Sequence, residues 1–260
     1  MARRSAFFLA VSLWTAAALV WVIGNTRPRS ALAQAVPVPA ASTNPYWAGY
    51  VATSQGPYLA VRATWTVPAI PCSPTGDHDA TAYAWIGEGG YVRGLDSPLI
   101  QAGTASDCLS GVERYHAFYE WYPGIYATDF PLALRPHDVV STRIEQIRPD
   151  YWTLSIRDDT TGRQSTTATL FRADSESADF VVERPTVCDG SSCRQVSLAK
   201  FGQVTFNDAQ TCSAPAGAYR PVVDAQPIAL AAASNARLLA VPAKVLGVSR
   251  SLSVLWHGGD

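Results

Sequence analysis

An all-β fold, a sandwich or a barrel, is what this 260-residue sequence predicts, on three observations. Short apolar/polar alternations rich in β-branched and aromatic residues recur along the chain. Clusters of Pro, Gly and Asp separate them. Helical periodicity is scarce, which leaves packed sheets as the way to bury the apolar faces.

Val61 to Val67 alternates cleanly until Pro68 stops it. Thr81 to Gly87, Tyr115 to Tyr122, Val139 to Ile147, Tyr151 to Arg157 and Ser165 to Phe171 repeat the pattern. Asp158-Asp159-Thr160-Thr161-Gly162 separates the last two as a hairpin turn. Phe201 to Phe206, Ile228 to Ala232 and Leu252 to Trp256 are further strands. Eight tryptophans and eleven tyrosines supply large faces for a core or a ligand cleft.

The N-terminus reads as a processing signal over residues 1–33. Arg3 and Arg4 precede the uncharged stretch from Ser5 to Gly24, and Ala31-Leu32-Ala33 forms a small-x-small cleavage pattern, making Gln34 the first mature residue. A retained membrane anchor is the competing reading, since roughly 20 apolar residues can span a bilayer. Residues 34–43 form a short flexible lead, and 44–260 one domain with no internal linker. Beyond residue 33 the chain holds 16 basic against 21 acidic residues, a net charge of −5. That argues against a nucleic-acid partner, which demands clustered cations. The expected product is a secreted, extracellular monomer, free of the membrane once the signal is cleaved.

Five cysteines in an exported chain imply disulfides and one leftover thiol. Cys188 and Cys193 bracket a turn-like loop that two sulfurs could clamp, Cys72 and Cys108 lie in polar loops as the next pair, and Cys212 remains. No metal site is expected: His78, His116, His137 and His257 are scattered, and no paired C-x-x-C occurs.

The chain lacks G-x-S-x-G and H-E-x-x-H, and Asp159-Thr160-Thr161-Gly162 is one residue too long for an aspartic-peptidase loop. A general acid or base drawn from Glu or Asp is left. Glu183 closes the apolar run from Ala178, and Gln101 lies in a similar run from Pro98 to Gly103. A carboxyl and an amide facing each other across a sheet could activate water and hold an oxyanion. Taken alone, Glu183 could equally be an ion-pair partner of Arg184, and Gln101 a buried strand amide.

Several ordered blocks resolve that ambiguity. Tyr46-Trp47-Ala48-Gly49-Tyr50, Ala63-Thr64-Trp65-Thr66-Val67-Pro68, Ala84-Trp85-Ile86-Gly87, Leu99-Ile100-Gln101-Ala102-Gly103 and Tyr119-Glu120-Trp121-Tyr122-Pro123 come first. Ala178-Asp179-Phe180-Val181-Val182-Glu183, Phe201 to Phe206 and Ser251 to Trp256 follow. Together they resemble the glutamic peptidases of the eqolisin type, pepstatin-insensitive acid endopeptidases, over nearly the whole of residues 44–256. The resemblance implies a two-sheet antiparallel β-sandwich, lectin- or glucanase-like, with a cleft on its concave face. It implies polypeptide substrates, no cofactor, and catalysis by Glu183 and Gln101, with Trp47, Trp85, Glu120 and Tyr122 binding substrate. It also implies a small disulfide loop at the spacing of Cys188 and Cys193.

Three positions depart from the family pattern. Glu88 sits one place earlier than the usual acid, and Ala105 and His116 stand where fungal members often carry aspartate. These acids help to tune such sites, so a strongly acid pH optimum does not carry over automatically. The alternative function is a secreted carbohydrate-binding module or glycoside hydrolase, with Glu120 and Glu183 as its carboxyl pair.

Overall fold

In the computed structural model the described residues are 34–73, 79–94, 97–189, 192–215, 217–245 and 250–258, without the side chains of 187–189 and 192. Residues 1–33, expected to be a processing signal, and His78 lie outside them. The first nine strands are β1 (Ala35–Pro37), β2 (Ser42–Asn44), β3 (Trp47–Ala52), β4 (Tyr58–Thr66), β5 (Ala80–Gly89), β6 (Leu99–Leu109), β7 (Val112–Tyr122), β8 (Ile125–Ala133) and β9 (Val139–Arg148). There follow β10 (Tyr151–Asp158), β11 (Gln164–Leu170), β12 (Ala178–Glu183), β13 (Thr186–Asp189), β14 (Ser192–Gln195), β15 (Ser197–Leu198) and β16 (Gln203–Ser213). The chain closes through β17 (Arg220–Pro221), β18 (Gln226–Ala231), β19 (Leu238–Val245) and β20 (Leu252–Trp256).

Pairing sorts eighteen of these strands into two sheets, and β13 and β14 form a separate two-stranded hairpin. The larger runs β8-β7-β6-β5-β12-β3-β18-β19-β20-β16, antiparallel along this order, with β15 added parallel to β5. The smaller runs β17-β16-β4-β9-β10-β11, also antiparallel. Strand β16 serves both: Gln203 to Phe206 pair with β20, and the register slips after Asn207 before Gln210 to Ser213 pair with β4. Asp208 stands at φ +49° in that slip, a bulge that turns the strand from one sheet into the other.

The inner faces meet in one core. From the smaller sheet come Val61, Trp65, Val140, Ile144, Trp152, Leu154 and Ile156, and from the larger Ile86, Ile100, Phe180 and Val182, all buried. Trp65 shows how polar atoms are accommodated there: its indole N–H donates across the sandwich to Thr104 Oγ1 at 3.0 Å. Strict alternation in β9 and β10 puts Val140, Ile144, Trp152 and Leu154 inside and Ser141, Arg143, Thr153 and Ser155 toward water.

Several expectations meet their structure here. The hairpin after β10 forms as expected: Asp158 Oδ1 accepts from the Thr160 and Thr161 amides, and Gly162 takes φ +77°. Residues 34–43 do not stay free of the sheet. Strand β1 pairs with β19, and β2 lies parallel to β18. Cys72 and Cys108 are joined, but Cys108 belongs to β6 rather than to a polar loop. Cys212 is a free, buried thiol. Register sets Cys188 opposite Cys193 in the β13–β14 hairpin. Cys193 is disulfide-bonded, and the Cys188 side chain lies outside the described residues.

Candidate active site

Period-two alternation gives the larger sheet a second apolar patch on its outer face. Trp47, Trp85, Leu99, Ala105, Phe118 and Val181 form it, with Tyr83 and Tyr91 packed alongside. Glu183 and Gln101 share this face. Glu183 ends β12 between Trp47 of β3 and Tyr83 of β5. Gln101 in β6 stands opposite Gly87 of β5 and Glu120 of β7. The two catalytic candidates are therefore not cross-strand neighbours. Strand β5 runs between them, and their register partners on it are four residues apart.

Trp85 spans that interval. Its indole N–H donates to Glu183 Oε2 at 2.7 Å. The far edge of the ring lies over Gly87, where a Cβ would stand 2.9 Å from Cζ3. Gly103, on the neighbouring strand, is equally constrained: a Cβ there would meet the Ala84 carbonyl at 2.2 Å and Trp85 Cβ at 2.5 Å. Glycine at both positions leaves the room that Trp85 occupies. Trp47 packs edge-on against Trp85, centroids 5.1 Å apart, and also hydrogen-bonds Glu183. Trp47 and Trp85 are 4% and 0% exposed. In this structure they hold the carboxyl rather than present ring surface to the cleft.

The amide has its own support. Gln101 Nε2 donates to Glu120 Oε2 at 2.9 Å, while Gln101 Oε1 is buried without a protein partner among the described residues. An amide nitrogen carries two hydrogens. Glu120 takes one and leaves the other directed by the fixed plane of the group. Tyr122 stands opposite Leu99 at the end of β7, and its ring approaches that of Tyr126 at 6.5 Å.

Burial dominates the electrostatics. It pushes Glu183 up to about 8, helped by the nearby Glu120 carboxylate and opposed by the hydrogen bonds from Trp85 and Trp47. Glu120 is pushed up to about 7 by burial, against the Gln101 hydrogen bond. Arg184 sends its Nε to the Val196 carbonyl at 2.7 Å.

The departing positions also find their places. Glu88 turns away from this face, pairing in register with the inward-facing Ile100 and Ala178. It is fully buried with neither carboxyl oxygen partnered among the described residues. Ala105 lies between Tyr83 and His116. His116 is clasped by Asp107 on Nε2 (2.9 Å) and Asp129 on Nδ1 (2.6 Å), with Tyr83 packed edge-on against its ring. Sequence reasoning missed the pairing of Glu120 with Gln101, and Tyr83 and Phe118 as lining. The outward positions 83, 85, 87 and 118, 120, 122 of two alternating strands were the available signal.

Comparison with known proteins gives the family and the fold. The Peptidase A4 family model matches residues 45–241. Aspergillopepsin-2 of Aspergillus niger is 29% identical over 188 residues, 64% of this chain and 64% of that protein. Scytalido-glutamic peptidase, solved with a peptide-based transition-state analogue, superposes with a TM-score of 0.68 at 23% identity, covering 82% of this chain and 99% of that one. Aspergilloglutamic peptidase from Aspergillus niger gives 0.57 at 26% identity, over 68% and 99%. With the matched model spanning the cleft strands from β3 to β19, the chain belongs to the Peptidase A4 family, the eqolisin-type family that its motifs resemble.

Proposed function

We propose that this protein is a glutamic endopeptidase that cleaves polypeptides with a Glu183/Gln101 pair. One observation carries the reading: on a single sheet face, the Trp85 indole donates to Glu183 and the Gln101 amide donates to Glu120, with β5 between the two groups. Family membership supplies the reaction class.

The chemistry follows from what the two groups can do. Ionised Glu183 takes a proton from water as it attacks the scissile carbonyl. The free N–H of Gln101 donates to the developing oxyanion, a contribution of about 3 kcal/mol for one well-aimed donor. Glu183, now neutral, passes the proton to the leaving amine. No covalent intermediate is needed. With Glu183 pushed up to about 8, its ionised form is a minority in acid and grows roughly tenfold per pH unit. The rate should therefore climb from acid toward neutral pH, so the optimum lies above the strongly acid range.

The glycosidase alternative would need Glu120 as a second, independently acting carboxyl. Here Glu120 is engaged with the Gln101 amide, and the family is one of peptidases. The leader pattern of residues 1–33 and the Cys72–Cys108 bond support an exported protein. Incubating the protein with denatured casein from about pH 2 to about pH 9, beside Glu183→Gln, tests the proposal. Fragments with the parent and none with the variant are expected. Equal cleavage by both would overturn it.

A further inference from the structure

On the outer face of the smaller sheet, away from the catalytic face of the larger one, lies a groove of about 530 Å³. Its size is within the ordinary range for ligand sites. Its lining follows the register of the strands. One cross-strand row reads Gln210, Arg62, Arg143, Ser155, and the next reads Thr64, Ser141, Arg157, Gln164. Three arginines thus stand on three adjacent strands, β4, β9 and β10, about 4.8 Å apart from strand to strand.

This arrangement opposes the stability of the sheet. Arg62 and Arg143 are directly opposite each other, and like charges in that relation destabilise a strand pair. Nor do they guard an edge, where charged residues are placed to block aggregation: β4 and β9 each have a strand on both sides. Both guanidinium groups lean over the Tyr219 ring, at 4.2 and 5.4 Å from its centroid, and Arg143 Nε donates to the Tyr219 hydroxyl at 2.9 Å. The pair is thereby held in place facing the groove.

The donors are only partly used. Glu145 meets one terminal nitrogen of Arg143, and Asp159 accepts from Arg157 Nε at 3.0 Å. Arg62 donates to the neutral Gln210 amide oxygen at 2.9 Å. A guanidinium has five N–H donors in a fork that fits a carboxylate. Hydroxyls of Thr64, Ser141 and Ser155 lie between the arginines; Thr64 and Ser141 bond each other at 3.1 Å and Ser141 donates to Asp159, so the lone pairs left over can accept from sugar hydroxyls. Asp208, at the rim, would repel an anion entering from that side.

We propose that this groove binds an acidic polysaccharide, a polymer of uronic-acid residues, lying across the strands so that successive carboxylates meet Arg62, Arg143 and Arg157. Such a site would hold the peptidase on a carbohydrate matrix without taking part in cleavage. It does not depend on the catalytic assignment.

The test is titration of the protein with polygalacturonate at low and moderate salt, followed by affinity gel electrophoresis. Arg62→Gln/Arg143→Gln should bind at least tenfold more weakly, and binding by the parent should weaken with salt. Cleavage of a short soluble peptide should be the same in both. Fully methyl-esterified polymer, which lacks the charges, should not be retained. Unchanged affinity in the double variant, or equal binding of the esterified polymer, would overturn the proposal. So would tighter binding to dextran sulfate or to anionic vesicles than to the polyuronate. If the double variant melts below the assay temperature, Arg62→Lys/Arg143→Lys replaces it. That variant keeps the charges and loses the forks, so affinity should fall several-fold, and no fall would equally defeat the idea.

Discussion

Two pairs of carboxyl groups sit in or beside the central strands of the larger sheet, and burial pushes all four upward, yet their surroundings differ. Glu183 and Glu120 lie on the cleft face, each with a side-chain hydrogen bond, from Trp85 and from Gln101. Glu88 and Asp179 are fully buried. Glu88 has no partner on either oxygen among the described residues, and Asp179 has one long contact to Ser177 at 3.4 Å and an unpartnered Oδ1. Both are raised well above the ordinary carboxylate range, by burial first, with Asp179 adding to the rise of Glu88 and Asp174 to that of Asp179. A raised carboxyl is therefore not by itself a catalytic one. What separates the pairs is the donor set: a group that must ionise during a reaction is supplied with N–H donors, and one that stays neutral is not.

The largest expected effect tests the first half of that contrast. Glu183→Gln should lower kcat/KM by about 10³ or more, since an amide can neither accept nor return the proton. It should melt no earlier than the parent, because it replaces a buried acid with a neutral isostere. A variant with most of its activity left would move Glu183 into the same class as Glu88. Gln101→Ala comes next, with a loss of about 10² to 10³ carried by kcat. A change confined to KM would recast the amide as a substrate contact.

The second half of the contrast is read from stability. In the folded protein Glu88 and Asp179 keep protons that the unfolded chain releases above its ordinary value near 4.5 or 3.8. Over that interval the native state binds more protons, so stability is fullest below the ordinary values and falls as pH rises toward the raised ones. The slope is about 1.4 kcal/mol per pH unit for each such group. Glu88→Gln should flatten the fall of melting temperature as pH rises above the ordinary value near 4.5, and leave the peptidase rate per folded molecule unchanged. A slope as steep as the parent's would show that Glu88 is not the group that titrates on unfolding.

Much of this contrast was legible in the sequence, and the remainder was hidden for identifiable reasons. Alternation located β4, β7, β9, β10 and β11, and in β4, β9 and β10 it follows one dry face and one wetter face. It did not locate β8 or β19, which contain Pro131 and Pro242, residues that read as strand breakers. Strands β1 and β2 are three residues each and take their order from β19 and β18 rather than from their own pattern. Glu183 and Gln101 could be singled out by their blocks. That Glu120 would meet Gln101 could not, because the pairing depends on the register of the β6–β7 hairpin, set by the turn between Leu109 and Val112. The unpartnered state of Glu88 was hidden for the same reason: the residue differs from Gly87 by one step, and one step in a strand exchanges the cleft for the core.

The smallest expected effect is also the one that probes the coupling inside the catalytic pair. Glu120 and Glu183 titrate together, with values of about 7 and about 8, and part of the rise in Glu183 comes from the Glu120 charge. Glu120→Gln removes that charge but keeps an oxygen that can accept from Gln101 Nε2, so the amide stays aimed. Glu183 should then ionise at lower pH, still above the ordinary carboxylate value because burial is its larger cause. The acid limb of the kcat/KM profile should move down by something on the order of one pH unit or less, with the plateau nearly unchanged. Glu120→Ala provides the contrast: it shifts the limb in the same direction but frees the Gln101 amide to rotate, so the plateau should also fall. If both variants lower the plateau and neither moves the limb, Glu120 serves only to hold Gln101, and the two carboxyls do not sense each other's charge.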